Sequence, residues 1–157
     1  MRDFLMERIA SFSVDHTKLK CGMYISRVDG DIVTYDIRTR RPNIDEVMDT
    51  GTAHSIEHLF ATKIRNCEIG PDVIYFGPMG CRTGFYLLVR STDHKKAIEM
   101  VIDTFKWISE YEGDIPGASP IECGNYSDQN LIGAKSESKR MYELLLKWSE
   151  NELNYEK

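Results

Sequence analysis

Apolar residues recur along this chain with two periods, and each change of period marks an element. Residues 23–27 and 32–38 are rich in β-forming side chains, and the Asp29-Gly30 pair between them suits a tight turn, which predicts a hairpin. A polar connector runs from Pro42 to Asp49. Asp49 or Thr50 then caps a helix through Asn66, with His54, Ile56, His58, Leu59 and Ile64 among its inward positions. Residues 73–76 and 85–89 read as two further strands around a loop bracketed by Gly77, Gly80 and Gly84. Thr92 or Asp93 caps a second helix, where Ile98, Val101, Ile102, Phe105 and Ile108 recur at helical spacing. Gly113 to Asn125 reads as a loop containing Pro116, Gly117, Pro120 and Gly124. A last helix starts near Ser127 or Asn130 and runs toward Asn151, with Gly133 early in it. Short strands mixed with three helices predict an α+β fold, a largely antiparallel sheet covered by helices.

The chain has 157 residues, enough for one domain (1–157) with a real core, and its 41% hydrophobic and 29% charged content is that of a globular protein. A net charge of −5 argues against nucleic acid as a partner, because that surface calls for a concentrated basic face. Arg38, Arg40 and Arg41 make only a small basic knot. The uncharged runs are far shorter than a bilayer span, and the first eight residues carry acids and no apolar stretch, unlike a signal peptide. The expectation is a cytoplasmic protein with no membrane partner. Cys21, Cys67, Cys81 and Cys123 are scattered, with no Cys-x-x-Cys pair to indicate a zinc ribbon or a redox motif. Their default reading is buried, inert thiols.

One stretch changes that picture. In His54-Ser-Ile-Glu-His58 the two imidazoles are four residues apart, one helical turn, so they share a face and can share a divalent metal. Glu57 leans toward the same face as a candidate base. The pattern His-x-x-Glu-His is the inverted form of a metal-hydrolase motif. A third ligand must come from elsewhere: Glu99, Glu110, Glu112 and Glu122 compete with Cys123, a softer donor on a glycine-flanked loop. A carboxylate would suit a small HxxEH-type metallopeptidase, and a fourth protein ligand would close the centre as a structural module. Cys81 stands apart, in Gly77-Pro-Met-Gly-Cys-Arg-Thr-Gly84, where a metal, Arg82 or Arg38 nearby would favour a reactive thiolate.

Three segments together say more than spacing. His54-Ser-Ile-Glu-His-Leu-Phe60, Gly77-Pro-Met-Gly-Cys-Arg-Thr-Gly-Phe-Tyr86 and Glu122-Cys-Gly124, in this order and at these separations, resemble the S-ribosylhomocysteine lyase family, which makes the precursor of a furanone-type bacterial quorum signal. Ser11-Phe-Ser-Val-Asp-His16 and Tyr35-Asp-Ile-Arg-Thr39 extend the resemblance over nearly the whole chain. It implies a homodimer with its sites at the subunit interface, and a metal held by His54, His58 and Cys123. That metal is usually Fe2+, with Zn2+ or Co2+ as substitutes. It also implies Cys81 and Glu57 as acid–base residues, and Ser11, His16 and Arg38 as groups that bind or orient the sugar. The implied substrate is S-ribosylhomocysteine, and the implied reaction is internal isomerisation followed by β-elimination, with no redox cofactor. Two positions depart from the family pattern: Ser55 stands where Thr is common, and Tyr75-Phe76-Gly77 where an acidic residue and a Ser are frequent.

Overall fold

The computed structural model describes residues 6–156. The reading of the first eight residues as unlike a signal peptide rests partly on residues 1–5, which lie outside the described residues. Four strands, β1 (Gly22–Asp29), β2 (Ile32–Arg38), β3 (Val73–Pro78) and β4 (Gly84–Arg90), form one sheet in the order β1-β2-β4-β3. Every pairing is antiparallel, as expected; the predicted bounds of β2 hold, and the other three strands gain two or three residues at their ends. Asp29 pairs with Ile32, so Gly30 and Asp31 make the hairpin loop, and Gly30 turns it at φ +61°.

Strand alternation gives the sheet two different faces. Tyr35 and Ile37 of β2 and Phe85, Leu87 and Val89 of β4 point into the hydrophobic core. Asp36 and Arg38 alternate with them and pair with Tyr86 and Gly84 on the other face. Three helices cover the apolar face: α1 (Thr50–Arg65), α2 (His94–Ser109) and α3 (Leu131–Leu145). Asp49 proves to be the cap of α1, its carboxylate accepting from the Thr52 amide at 2.9 Å. Asp93 caps α2 in the same way through the Lys96 amide.

The final helix stops six residues before Asn151. The chain turns after Leu145 because Trp148 is drawn to the sheet, where its indole Nε1 donates to the Met23 carbonyl at 2.8 Å. A short 3₁₀ turn (Glu150–Glu152) follows, and the Leu153 carbonyl accepts from the Ile25 amide at 2.7 Å. This tail continues to Tyr155, whose hydroxyl donates to Asp36 on the outer face.

An aromatic stack fixes α1 to the sheet. Phe60, fully buried, lies parallel to Phe76 with centroids 4.0 Å apart, and Phe105 of α2 meets it edge-on at 5.1 Å. Phe60→Ala should cost about 3–5 kcal/mol of stability, since it removes a fully buried ring from between two elements. Denaturant unfolding checks this, and a loss below about 1 kcal/mol would mean that α1 is held some other way.

Candidate active site

Ile56, Leu59 and Ile64 on α1 face the core completely. His54 and His58, on a neighbouring stripe, are only half-buried and face the long loop between α2 and α3. The Asp128 carbonyl lies 2.8 Å from His54 Nδ1, and the Pro116 carbonyl lies 2.7 Å from His58 Nδ1. A carbonyl can only accept, so each Nδ1 carries the proton and each Nε2 presents a lone pair. Those two Nε2 atoms face each other at 3.0 Å, and Cys123 Sγ lies 3.3 Å from His54 Nε2.

Two lone pairs aimed at one point, with a thiol beside them, suit a cation. Ligands about 2.0 Å from a tetrahedral ion stand roughly 3.3 Å apart, close to the spacing seen here. The two backbone carbonyls supply the outer hydrogen bonds that metal-binding histidines usually have. Among the described residues, His54, His58 and Cys123 are the one His/Cys/Asp/Glu group tight enough for a metal, its donor atoms all within 4.8 Å of one another. No carboxylate joins it. Glu112 is paired with Lys135, Glu99 with Lys96, and Glu122 accepts from the Ser119 hydroxyl. Among the described residues the metallopeptidase reading therefore lacks its third ligand, and three protein donors match the number found in open sites rather than the four of closed, structural ones.

The loop is shaped to deliver these donors. Gly117 sits at φ +73°, and a Cβ there would stand 3.1 Å from His58 Nδ1, so only glycine fits beside the ring. Ser55, fully buried, donates to Gln129 Oε1 at 2.7 Å and accepts from the Asn130 amide at 2.8 Å. It ties the ligand helix to the segment that carries Asp128, which gives that departure from the family pattern a structural role. Glu57 and His58 line a shallow cavity of about 380 Å³ with Tyr75, Phe76, Pro116, Gly117 and Glu122. Tyr75 is half-exposed there.

The other predicted residues meet elsewhere. Ser11, His16, Arg38 and Cys81 line a separate cavity of about 570 Å³, together with Phe12, Asp45, Thr83 and Tyr86. The two cavities have no lining residue in common. The sheet is the reason. α1 packs on its apolar face, whereas Arg38 and Tyr86 belong to the opposite face and Cys81 to the loop at its end. His16 Nδ1 donates to the Val14 carbonyl at 2.8 Å, which leaves Nε2 as an acceptor.

Cys81 is exposed, and Cys21, Cys67 and Cys123 are half-buried, so the default of buried thiols fails for all four. The Cys81 loop is tight. The Met79 amide donates to the Gly84 carbonyl, the Arg82 amide to the Met79 carbonyl, and Arg82 is left-handed at φ +59°. Gly84 is required for the approach of β2, because a Cβ would come within 2.7 Å of the Ile37 carbonyl.

Arg38 is 2% exposed and grips Asp36 with two bonds, Nε–Oδ1 at 3.1 Å and Nη2–Oδ2 at 2.7 Å. Burial alone would lower this guanidinium's pKa, and the Asp36 carboxylate outweighs burial and holds it above its usual value. Burial raises the Tyr155 phenol well above the usual range, with the Asp36 charge adding to it. Reading the sequence alone missed Asp36, Thr83 and Tyr155, which touch the predicted residues only through the fold. It also missed the carbonyls of Pro116 and Asp128, which leave no signal in side-chain identity. The Pro116-Gly117 pair was the one available hint of a shaped loop.

The S-ribosylhomocysteinase (LuxS) family model matches residues 9–152. A relative from Clostridium beijerinckii, named S-ribosylhomocysteine lyase, is 47% identical over 157 residues, covering 96% of this chain and 99% of its own length. One from Clostridium acetobutylicum, of the same name, is 45% identical over 156 residues, with the same coverage of 96% and 99%. A third, from Finegoldia magna and again so named, is 49% identical over 140 residues, covering 86% of this chain and 89% of its own. The match spans the sheet, the helices, the imidazole–thiol group and the Cys81 loop together, and the chain belongs to the S-ribosylhomocysteinase (LuxS) family.

Proposed function

We propose that this protein is an S-ribosylhomocysteine lyase, a carbon–sulfur lyase that cleaves the thioether of S-ribosylhomocysteine to homocysteine and 4,5-dihydroxy-2,3-pentanedione, the precursor of a quorum-sensing signal. The observation that carries this reading is the convergence of two imidazole lone pairs and the Cys123 thiol on one point, with Glu57 in the adjoining wall. His54, His58 and Cys123 hold the ion. Two nitrogens and a thiolate suit Fe2+, with Zn2+ or Co2+ as substitutes. When bound, the ion supplies a Lewis acid for the carbonyl oxygen of the open-chain sugar.

The protein's own groups move the protons. Cys81, as thiolate, takes a proton from the carbon beside the carbonyl and returns it to the neighbouring carbon, so the carbonyl migrates along the chain. Glu57 carries protons between the oxygens. Once the carbonyl stands two carbons from the thioether carbon, loss of a proton expels the homocysteine thiolate. Atoms balance between substrate and the two products, so no oxidant, reductant or water is consumed. Ser11, His16 and Arg38 bind the sugar. His16 Nε2 accepts a hydroxyl, and Arg38 keeps two of its five N–H donors beyond those bonded to Asp36 and Thr83.

Cys81 lines one cavity, and Glu57 and the metal-group residue His58 line another, which supports a homodimer in which each active site takes one cavity from each subunit. Unpaired cysteines in every described position suit the reducing cytoplasm.

Release of homocysteine thiol from S-ribosylhomocysteine by the purified, metal-loaded protein tests the activity, and its absence would refute it. The assembly has its own test. Neither His16→Ala nor Glu57→Ala should work alone, yet a refolded equal mixture should recover up to about one quarter of wild-type activity. Half of the dimers are then mixed, and each of these contains one intact composite site. No recovery despite proven subunit exchange would show that each site lies within one chain.

A further inference from the structure

The wall behind Cys81 contains a run of hydrogen bonds from the C-terminal tail to the sulfur. The Tyr155 hydroxyl donates to Asp36 Oδ2 at 2.7 Å. Asp36 holds Arg38 through both carboxylate oxygens. Arg38 Nη1 donates to Thr83 Oγ1 at 2.8 Å, and Thr83 Oγ1 lies 3.0 Å from Cys81 Sγ. Asp36, Arg38 and Thr83 are 1%, 2% and 3% exposed, while the sulfur at the end of the run opens to the cavity.

The last bond takes its direction from the one before it together with the charge on the sulfur. A guanidinium only donates, so the Thr83 oxygen must accept from Arg38. The hydroxyl has a single proton, and Cys81 Sγ is its other partner. A thiolate can only accept, so with Cys81 ionised that proton points at the sulfur. A hydroxyl whose oxygen already accepts from a cation is a stronger donor, because bonds in a chain polarise one another. The carboxylate fork prevents Arg38 from turning away, and Tyr155 withdraws some of the Asp36 charge that would otherwise offset the guanidinium.

We infer that Thr83 is a positioning residue for Cys81: its hydroxyl, oriented by the buried Arg38–Asp36–Tyr155 run, donates to the sulfur and stabilises it as a thiolate facing the cavity. This rests on the reading of Cys81 as the group that moves protons on carbon. A purely structural role for Thr83 is separable, because its backbone carbonyl, which accepts from the Thr39 and Arg40 amides at 2.9 and 3.0 Å, survives any side-chain change. The other titratable or charged groups around this cavity, His16, Asp45, Tyr86 and the neighbouring Arg82, stay in place in every variant below.

The test is alkylation of Cys81 by iodoacetamide in the metal-loaded protein, followed on the Cys81 peptide by mass spectrometry across pH, beside thiol release from substrate. Thr83→Val keeps the shape and loses the donor. At neutral pH its alkylation and its kcat should both fall about 10-fold, with the alkylation curve moved to higher pH. Thr83→Ser, which keeps the hydroxyl, should stay within about 2-fold of wild type. Thr83→Ala leaves room for water at Arg38 and takes the place of Thr83→Val should the latter fail to fold. A wild-type alkylation curve in the folded Val or Ala variant overturns the inference. A displaced curve with unchanged kcat would instead uphold the hydrogen bond and refute the role given to Cys81, so the two failures are distinct.

Discussion

Cys123→Ala is expected to leave the fold intact and the metal centre nearly empty. The wild type should hold about one divalent ion per chain, whereas the variant should bind at least about 100-fold more weakly, since loss of a ligand exceeds the usual cost of losing an outer hydrogen bond. The two imidazoles that remain still face each other at 3.0 Å, oriented by the carbonyls of Asp128 and Pro116, but two neutral donors make a poor site without the thiolate. Cobalt substitution makes the change visible, because the sulfur-to-cobalt charge-transfer band should be strong in the wild type and absent from the variant.

Stability should follow the metal. An ion bound only by the folded chain adds about 2.7 kcal/mol at 100 times its Kd. A chelator should therefore lower the Tm of the wild type and leave that of Cys123→Ala unchanged. Metal content, the cobalt spectrum and the paired melts check this. A variant that keeps a full equivalent of metal, or whose cobalt band persists, would exclude Cys123 as a ligand.

Cys81→Ala should fail in the opposite way. Its metal content should equal that of the wild type, because Cys81 belongs to the other cavity. Homocysteine release should drop by roughly 10²–10⁴-fold, the usual contribution of one acid–base group. Cys81→Ser should be nearly as poor, since a hydroxyl yields almost no anion at neutral pH. Glu57→Gln should also keep its metal, and carbon NMR of labelled substrate should reveal an isomerised ketone accumulating if this carboxylate serves mainly the later steps. Metal content, thiol release and NMR on the same three proteins make the comparison. Near wild-type turnover by Cys81→Ala would remove the thiolate from the mechanism.

The sequence by itself determined the elements and the inventory of chemistry. Alternation and helical spacing located four strands and three helices, because those periods are local properties of a backbone with one buried face. Each cap was legible to within two neighbouring residues, Asp49 or Thr50 and Thr92 or Asp93, for the same reason: an N-cap bonds an amide only a few residues away. His54 and His58 were readable as a pair because four residues make one turn. Beyond that reach, the residues alone gave competing answers. The end of α3 was misplaced because a long-range bond from Trp148 to Met23 ends it. Carboxylates and Cys123 remained rivals for the third ligand until the loop, held by carbonyls 58 and 74 residues from their histidines, brought the sulfur beside His54.

The resemblance to a family named the site residues but could not arrange them. Only the tertiary structure put the imidazole–thiol group on the helix side of the sheet and Cys81, His16, Ser11 and Arg38 around a cavity on its other side, because the sheet stands between them within one chain. It alone joined Tyr155 to Asp36 across 119 residues and Arg38 to Thr83 across 45. Such contacts depend on strand register and on the path of the tail, and neither is encoded within the few residues around any one of these side chains.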